Sequence, residues 1–434
     1  MIKKSKSITI HPKTLSGKVK VPPSKSIAHR AIICASLCEN TEQSEIYNID
    51  FSEDILATIA AMTSLGAIIR TNEKGHLSIT GAIGSKIKDK RIINCNESGS
   101  TLRFIVPIAL LFDGDTKFIG KGNLGKRPLD TYYEIFDRQN IKYTSVQDVL
   151  NLSINGKIQS DVYEIPGDIS SQFISGLMFA LPLLQGDSVI KITTELESKP
   201  YIDLTLESLE QFGIDIKHKD YKEFYISGKQ KYKPTSYKVE GDYSQGAFFL
   251  AANALGSNIN ILDLNIDSKQ ADKNVISILK SMGVEIKNND VLKTTDLKST
   301  VIDASQNPDI IPVLAVVAAL SKGTTKIING SRLRIKECDR LTAITTELNK
   351  IGANIEEFED NMIIHGVEEF EGGCDVWSWK DHRIAMSLAI AATRCKKPIV
   401  LQNPSCISKS YPNFYKDYKS LGGHIAWVPP TEKT

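Results

Sequence analysis

Apolar and polar positions along this chain follow a pattern that repeats itself. Five times an amphipathic stretch ends on an apolar residue, a glycine and a short β-prone run: SLGAII, QFGIDI, SMGVEI, KIGANI and SLGGHI. The glycines are Gly66, Gly213, Gly283, Gly352 and Gly422, and Asn140 of RQNIKY fills the remaining place. Glycine and asparagine are the residues that accept the left-handed conformation with which helices commonly end. Successive caps lie 69 to 74 residues apart, so the 434 residues hold six repeats.

A second signal keeps the same period. Each repeat has a short β-rich stretch, a polar or Gly/Pro turn and a helix start, in order VKVPPSKSIAHR, IINCNESGSTLR, YEIPGDISSQFI, YKVEGDYSQGAF, TVIDASQNPDII and CDVWSWKDHRIA. Ser26, Ser100, Ser171, Ser244, Asp309 and His382 mark its phase at intervals of 65 to 74 residues. Each repeat therefore predicts a β-α-β-α-β-β order. Helices after the turns, such as SGLMFALPLL and IPVLAVVAALS, are apolar nearly all round and so predicted to be buried. The expected fold class is α/β: two similar domains of three βαβαββ units each, with buried helices and outward-facing sheets, an inside-out α/β barrel. Crossings near residues 18–24 and 237–243 set one domain at 1–20 plus 241–434 and the other at 21–240.

Composition narrows the function. Apolar residues make up 41% and charged residues 24%, values of a globular protein rather than a disordered or fibrous one. Lys plus Arg number 53 against 51 for Asp plus Glu, so no chain-wide positive field exists for a nucleic acid, and any anion site must be local. The longest apolar run, Ile310 to Leu320, is well short of a membrane span. No apolar segment follows the basic N-terminus, so a cytoplasmic protein with no membrane or nucleic-acid partner is expected. Seven scattered cysteines without a C-x-x-C pair point to reduced thiols rather than disulfides or zinc.

Candidate chemistry collects at one phase of the repeat, where the buried helices begin. Helix N-termini carry amide donors and a positive dipole end, and several of them converging make an anion site. The first turn offers Lys25, Ser26 and Arg30, either as an anion grip or as a cap with solvated charges, and it lacks the glycines of a nucleotide-triphosphate loop. Ser170, Ser171 and Gln172 suit hydroxyl and phosphate recognition or simple capping. Asp309 is a cap or a general base. The charge-dense segments Arg332–Leu341 and Lys380–Arg383 read as exposed ion pairs or as a cleft in which Lys336 and Glu337 tune one another for proton transfer, and Lys409 is equally open.

Together these residues resemble the EPSP synthases, the 3-phosphoshikimate 1-carboxyvinyltransferases of the enolpyruvyl transferase family. PPSKSIAHR, SGSTLRF, SSQF, SKPYIDLTL, IKECDR, DHRIAM and SKSYPNF match the family's signatures in order and spacing over essentially the whole chain. The resemblance implies two three-unit domains closing on a cleft, with the N-terminal three repeats on the phosphoshikimate side and the C-terminal three on the phosphoenolpyruvate and catalytic side. The reaction implied adds the 5-hydroxyl of shikimate 3-phosphate to C2 of phosphoenolpyruvate, protonates C3, and then expels phosphate, without metal or organic cofactor. A monomer is expected.

The resemblance also implies roles. Lys25, Ser26 and Arg30 would bind phosphoshikimate, Lys25 also touching phosphoenolpyruvate and counting among the catalytic residues. Ser170, Ser171, Gln172, Ser198 and Tyr201 would hold the ring and its phosphate, and Lys336 would orient a hydroxyl. Gly99 would let backbone approach phosphoenolpyruvate, Arg340, Arg383 and Lys409 would neutralise it, and His382 would lie near its phosphate. Asp309 would take the 5-hydroxyl proton and Glu337 would protonate the methylene.

Three positions depart from the family pattern. Glu97 places a carboxylate beside the Gly99 loop, Asn123 stands where an arginine commonly grips phosphoenolpyruvate, and Arg332 replaces an asparagine. Weakened binding of phosphoenolpyruvate and of the herbicide glyphosate is expected from the first two. Of the rival readings, the UDP-N-acetylglucosamine enolpyruvyl transferases use a loop cysteine, and no cysteine occurs between Phe112 and Cys338. A non-catalytic anion-binding repeat protein would have no use for Asp309, Glu337 and Lys25 together.

Overall fold

The computed structural model describes residues 7–428 except 73, 147, 288–289 and 292–295. The chain forms two compact units, one of residues up to Pro22 with those from Gly241 onward, the other Pro23–Glu240. It is a mixed α/β fold built around several small four-stranded sheets.

One repeat illustrates the rest. Strand Lys90–Asn94 leads into helix Gly99–Ala109, and the chain returns as Asp115–Ile119, parallel to the first strand with Lys90 opposite Asp115. Helix Asp130–Arg138 follows, then the hairpin Lys142–Val146 and Val149–Asn155, whose second strand pairs antiparallel with Asp115–Ile119. The same order of pairing recurs around Ser188–Ile192 and Thr324–Ile328. Buried and exposed residues alternate along these strands, as in Lys90–Asn94, so one sheet face covers helices and the other meets solvent.

The six expected caps all have positive φ, from 55° at Asn140 to 107° at Gly352. Three sheets borrow strands from distant sequence, one of them taking Ser7–His11 between Ile399–Gln402 and His424–Trp427. Ser236–Lys238 joins Gln43–Tyr47, and Ser16–Lys20 joins Asn258–Leu262, each pair parallel and each inside one unit. Among the described residues the fourth repeat shows two-stranded pairings only, Asn258–Leu262 with Ser16–Lys20 and Ile286–Lys287 with Asp290–Val291.

The first helix of each repeat is buried as its composition predicts. Every residue of Ile311–Ala319, Tyr243–Ala254 and His382–Ala392 is buried. In the other unit Gly99–Ala109 packs against Ser171–Ala180. Gly176 permits that approach, because a Cβ there would run into the Arg103 carbonyl and the Tyr132 hydroxyl. A larger residue at 176 would push apart the two helices whose N-termini carry Gly99 and Ser171. All seven cysteines are free thiols, and six of them are buried. Among the described residues, no helix is long and apolar enough to cross a membrane.

Candidate active site

In the unit Pro23–Glu240, helices Lys25–Ser36, Gly99–Ala109 and Ser171–Ala180 present the candidate turns. Ser24, not Ser26, is the N-cap of the first helix, and its side chain makes no capping bond, so the simple capping reading of Ser26 fails. Lys25 Nζ lies 2.8 Å from Asp54 Oδ2. Arg30 is buried, donating from Nε to Thr205 Oγ1 at 2.9 Å, from Nη1 to the Ser26 carbonyl at 2.7 Å and from Nη2 to the Tyr201 carbonyl at 3.0 Å. Desolvation lowers its pKa to about 10, which leaves it charged at neutral pH. Beside it His29, hydrogen-bonded with Thr58 at 2.7 Å, is held well below its usual value by burial and then by Lys25 and Arg30, and is therefore neutral.

Ser98 and Ser170 cap the other two helices, accepting from Thr101 N and Gln172 N. Gln172 joins them, accepting from Arg103 Nη1 at 3.0 Å and donating to Ser100 Oγ at 2.9 Å. Ser198 is buried in a left-handed conformation (φ 54°, ψ 38°) just before helix Lys199–Gln211. A non-glycine residue in that region is strained, and such strain persists where the surroundings impose it.

The loop after strand Asp115–Ile119 adds a cation to the Gly99 turn. The Arg127 guanidinium is pressed against Gly99: a Cβ at residue 99 would lie 2.5 Å from Arg127 Nη1. Arg127, at the C-cap of the short turn Gly122–Lys126, thus puts a guanidinium beside Gly99 from the loop that also holds Asn123. The Glu97 carboxylate is turned toward Gly122 (φ 62°) and fills the space a Cβ there would take.

In the other unit, one guanidinium organises three carboxylates. Arg340, at the start of helix Arg340–Lys350, is almost fully buried. It donates from Nη1 to Asp309 Oδ1 at 2.8 Å, from Nη2 to Glu337 Oε2 at 2.6 Å and from Nε to Asp381 Oδ2 at 2.8 Å. Asp309 also meets Arg383 Nη2 at 3.1 Å and Lys336 Nζ at 3.7 Å. Its carboxylate is given to cations, not to the amides of helix Ile311–Ala319, so it is no cap. Burial pushes the Asp309 pKa up, but Arg383, Lys336 and Arg340 outweigh it and hold the group well below the usual carboxylate range. Burial lowers Lys336 to about 8, assisted by Arg332 and Arg340 against the pull of Asp309. The ion-pair reading holds only in part for Arg334, which pairs with Asp339 and Glu357 but is half-buried rather than exposed.

Asp381 also caps helix His382–Ala392 through Arg383 N at 2.7 Å. His382 opens that helix and is buried. The preceding residues Trp379 and Lys380 both have left-handed φ. Glu347, buried in helix Arg340–Lys350, holds this turn by accepting from Trp377 N and Trp379 Nε1, both at 2.9 Å. The turn delivers the Lys380 carbonyl to Lys409 Nζ at 3.0 Å. Sequence reasoning missed Asp54, Arg127 and Asp381. The Lys-Arg-Pro and Lys-Asp-His-Arg strings contain two of them, but their partners lie far along the chain.

A fold of this kind, with cations and carboxylates at helix starts, is that of the enolpyruvyl transferases. The chain superposes on an EPSP synthase from Acinetobacter baumannii with a TM-score of 0.80 at 25% identity, covering 97% of this chain and 99% of that one. An enolpyruvyl transferase from Streptomyces tendae shares the fold, with a TM-score of 0.80 at 16% identity over 98% of this chain and 99% of that one. The family model for EPSP synthase (3-phosphoshikimate 1-carboxyvinyltransferase) matches residues 10–418. Proteins named 3-phosphoshikimate 1-carboxyvinyltransferase from Clostridioides difficile strain 630 and Clostridium perfringens are each 60% identical, over 430 and 422 residues, covering 96% of this chain and 98% and 99% of theirs. The chain belongs to the EPSP synthase family.

Proposed function

We propose that the chain transfers the enolpyruvyl group of phosphoenolpyruvate to the 5-hydroxyl of shikimate 3-phosphate and releases inorganic phosphate, as a monomer in the cytoplasm. The unit of residues 21–240 takes phosphoshikimate, through Lys25, Ser26, Arg30, Ser170, Ser171, Gln172, Ser198 and Tyr201. The unit of residues 1–20 plus 241–434 supplies the cations for phosphoenolpyruvate and the proton carriers. Gly99 and Arg127 add a backbone approach and a guanidinium for phosphoenolpyruvate, and His382 serves its phosphate.

The observation that carries this is the shared guanidinium of Arg340, with Asp309 at 2.8 Å and Glu337 at 2.6 Å. One carboxylate can take a proton while the other gives one, and the same cation stabilises both. Asp309, ionised at neutral pH, accepts the 5-hydroxyl proton as that oxygen bonds to C2, and Glu337 protonates C3. The tetrahedral adduct then returns a C3 proton to Glu337 as the C2–O bond to phosphate breaks, the phosphate leaving with the proton held by Asp309, and the double bond is restored. Without substrate the cations are spent on Asp309. When Arg340 and Arg383 also engage the anionic substrate, Asp309 loses part of their field and becomes the stronger base. Phosphate release with each substrate omitted in turn tests the reading: release is expected only with both present, and release from phosphoenolpyruvate alone would mark a simple phosphatase.

A further inference from the structure

A buried carboxylate that this reaction leaves unused stands next to its base. Asp272 lies in the short turn Ala271–Asn274 and is almost wholly buried. One of its oxygens, Oδ2, accepts a hydrogen bond from Ser244 Oγ. The other, Oδ1, is buried and finds no donor among the described residues. Such a group is expensive to keep unless something nearby profits from its charge. The turn is bolted to the segment that carries Asp309: Asn307 Nδ2 donates to the Ala271 carbonyl at 2.6 Å, and Asn307 Oδ1 accepts from Asn274 Nδ2 at 2.9 Å. A second path runs through Arg383, whose Nη1 reaches the Ser244 carbonyl at 3.4 Å while Nη2 reaches Asp309 Oδ2 at 3.1 Å.

We propose that Asp272 is a positioning residue for the proton transfer, setting through Ser244 and Arg383 how tightly Arg383 holds Asp309 and hence how basic Asp309 is. This rests on the assignment of Asp309 as the base. The charged groups facing Asp272 are Asp309, Arg383 and Asp242, the last being the cap of helix Tyr243–Ala254. Burial first, then the negative charge of Asp309, raises its pKa to about 6, against the opposing pull of Arg383 and the Ser244 hydroxyl. Above that pH the Asp272 anion competes for Arg383 and repels the Asp309 anion, and both effects raise the proton affinity of Asp309. Below it, neutral Asp272 leaves Arg383 to Asp309, and the base weakens.

The test is kcat at saturating substrates across pH 5.5–9 for the wild type, Asp272→Asn, Ser244→Ala and Asp309→Asn. The amide in Asp272→Asn can still accept from Ser244 but carries no charge. Its plateau should fall on the order of three- to tenfold, with KM values little changed, and the Asp272 part of the acid-side decline should vanish. Substrate phosphates also titrate near pH 6, but identically in every variant. Ser244→Ala removes a bond to the ionised carboxylate, so its decline should move to higher pH, which keeps the idea testable if Asp272→Asn does not fold. A wild-type plateau and profile in Asp272→Asn, or an unmoved decline in Ser244→Ala, would overturn the proposal. Near-normal turnover in Asp309→Asn would instead overturn the assignment of the base itself.

Discussion

Replacing Gly99 by alanine separates binding from folding. The added Cβ would stand 2.5 Å from Arg127 Nη1, 3.7 Å from Arg127 Cζ and 3.7 Å from Gln172 Oε1. The last two are ordinary contacts, so the whole conflict falls on one guanidinium nitrogen, which must retreat by about 1 Å to reach normal packing distance. That nitrogen ends a flexible side chain, and residue 99 opens a helix, where alanine is preferred over glycine. Stability should therefore be unchanged or slightly raised. The charged hydrogen bond proposed from Arg127 to phosphoenolpyruvate does not survive such a displacement, and its loss is worth about 1.5–3 kcal/mol. KM for phosphoenolpyruvate should rise roughly 10- to 150-fold, with glyphosate inhibition weakened in parallel and KM for shikimate 3-phosphate little altered. Steady-state phosphate release with each substrate varied measures both constants, and a melting curve controls for folding. In an Arg127→Ala background the alanine at 99 should have almost no further effect, because the two changes remove one interaction. A folded Gly99→Ala enzyme with unchanged KM for phosphoenolpyruvate would refute the placement of Arg127.

Other outcomes follow from the same contacts. Asp309→Ala should lower kcat by about 100-fold or more with smaller effects on KM, measured by phosphate release; near-normal turnover would remove it from the mechanism. Glu337→Gln should suppress deuterium incorporation at C3 of phosphoenolpyruvate in heavy water, and undiminished exchange would reassign the acid. Lys336, lowered to about 8 by burial, loses its charge as pH rises through that value. KM for shikimate 3-phosphate should therefore climb above about pH 8, and Lys336→Arg, which keeps its charge, should flatten the climb. Asp54→Asn removes the carboxylate 2.8 Å from Lys25, and KM should change for whichever substrate Lys25 contacts, which substrate-varied kinetics identifies.

The repeat was legible because it is written in local chemistry. A glycine or Asn140 after each amphipathic helix answers to a positive φ, and an apolar run such as IPVLAVVAA can only be a buried helix. The turns holding Lys25, Gly99, Ser171 and His382 were legible for the same reason, since each opens a buried helix. What could not be read was pairing at a distance. Arg340 and Asp381 are 41 positions apart, and only the packed helices bring them together. The Gly122–Lys126 turn shows the limit most clearly, because which of its polar residues reaches Gly99 depends on where a five-residue 3-10 turn ends, and that residue is Arg127 rather than Asn123. The exchange of Ser236–Lys238 and Ser16–Lys20 between repeats was hinted at only by the crossing segments.

The most direct measurement follows phosphoenolpyruvate labelled with carbon-13 at C2 through a single turnover by carbon and phosphorus NMR. With shikimate 3-phosphate present, the C2 signal should pass from enol phosphate to enol ether as one equivalent of inorganic phosphate appears, and in Asp309→Ala both changes should stall together. Phosphate appearing without shikimate 3-phosphate, or an enol phosphate signal that never changes with both substrates bound, would contradict carboxyvinyl transfer by this chain.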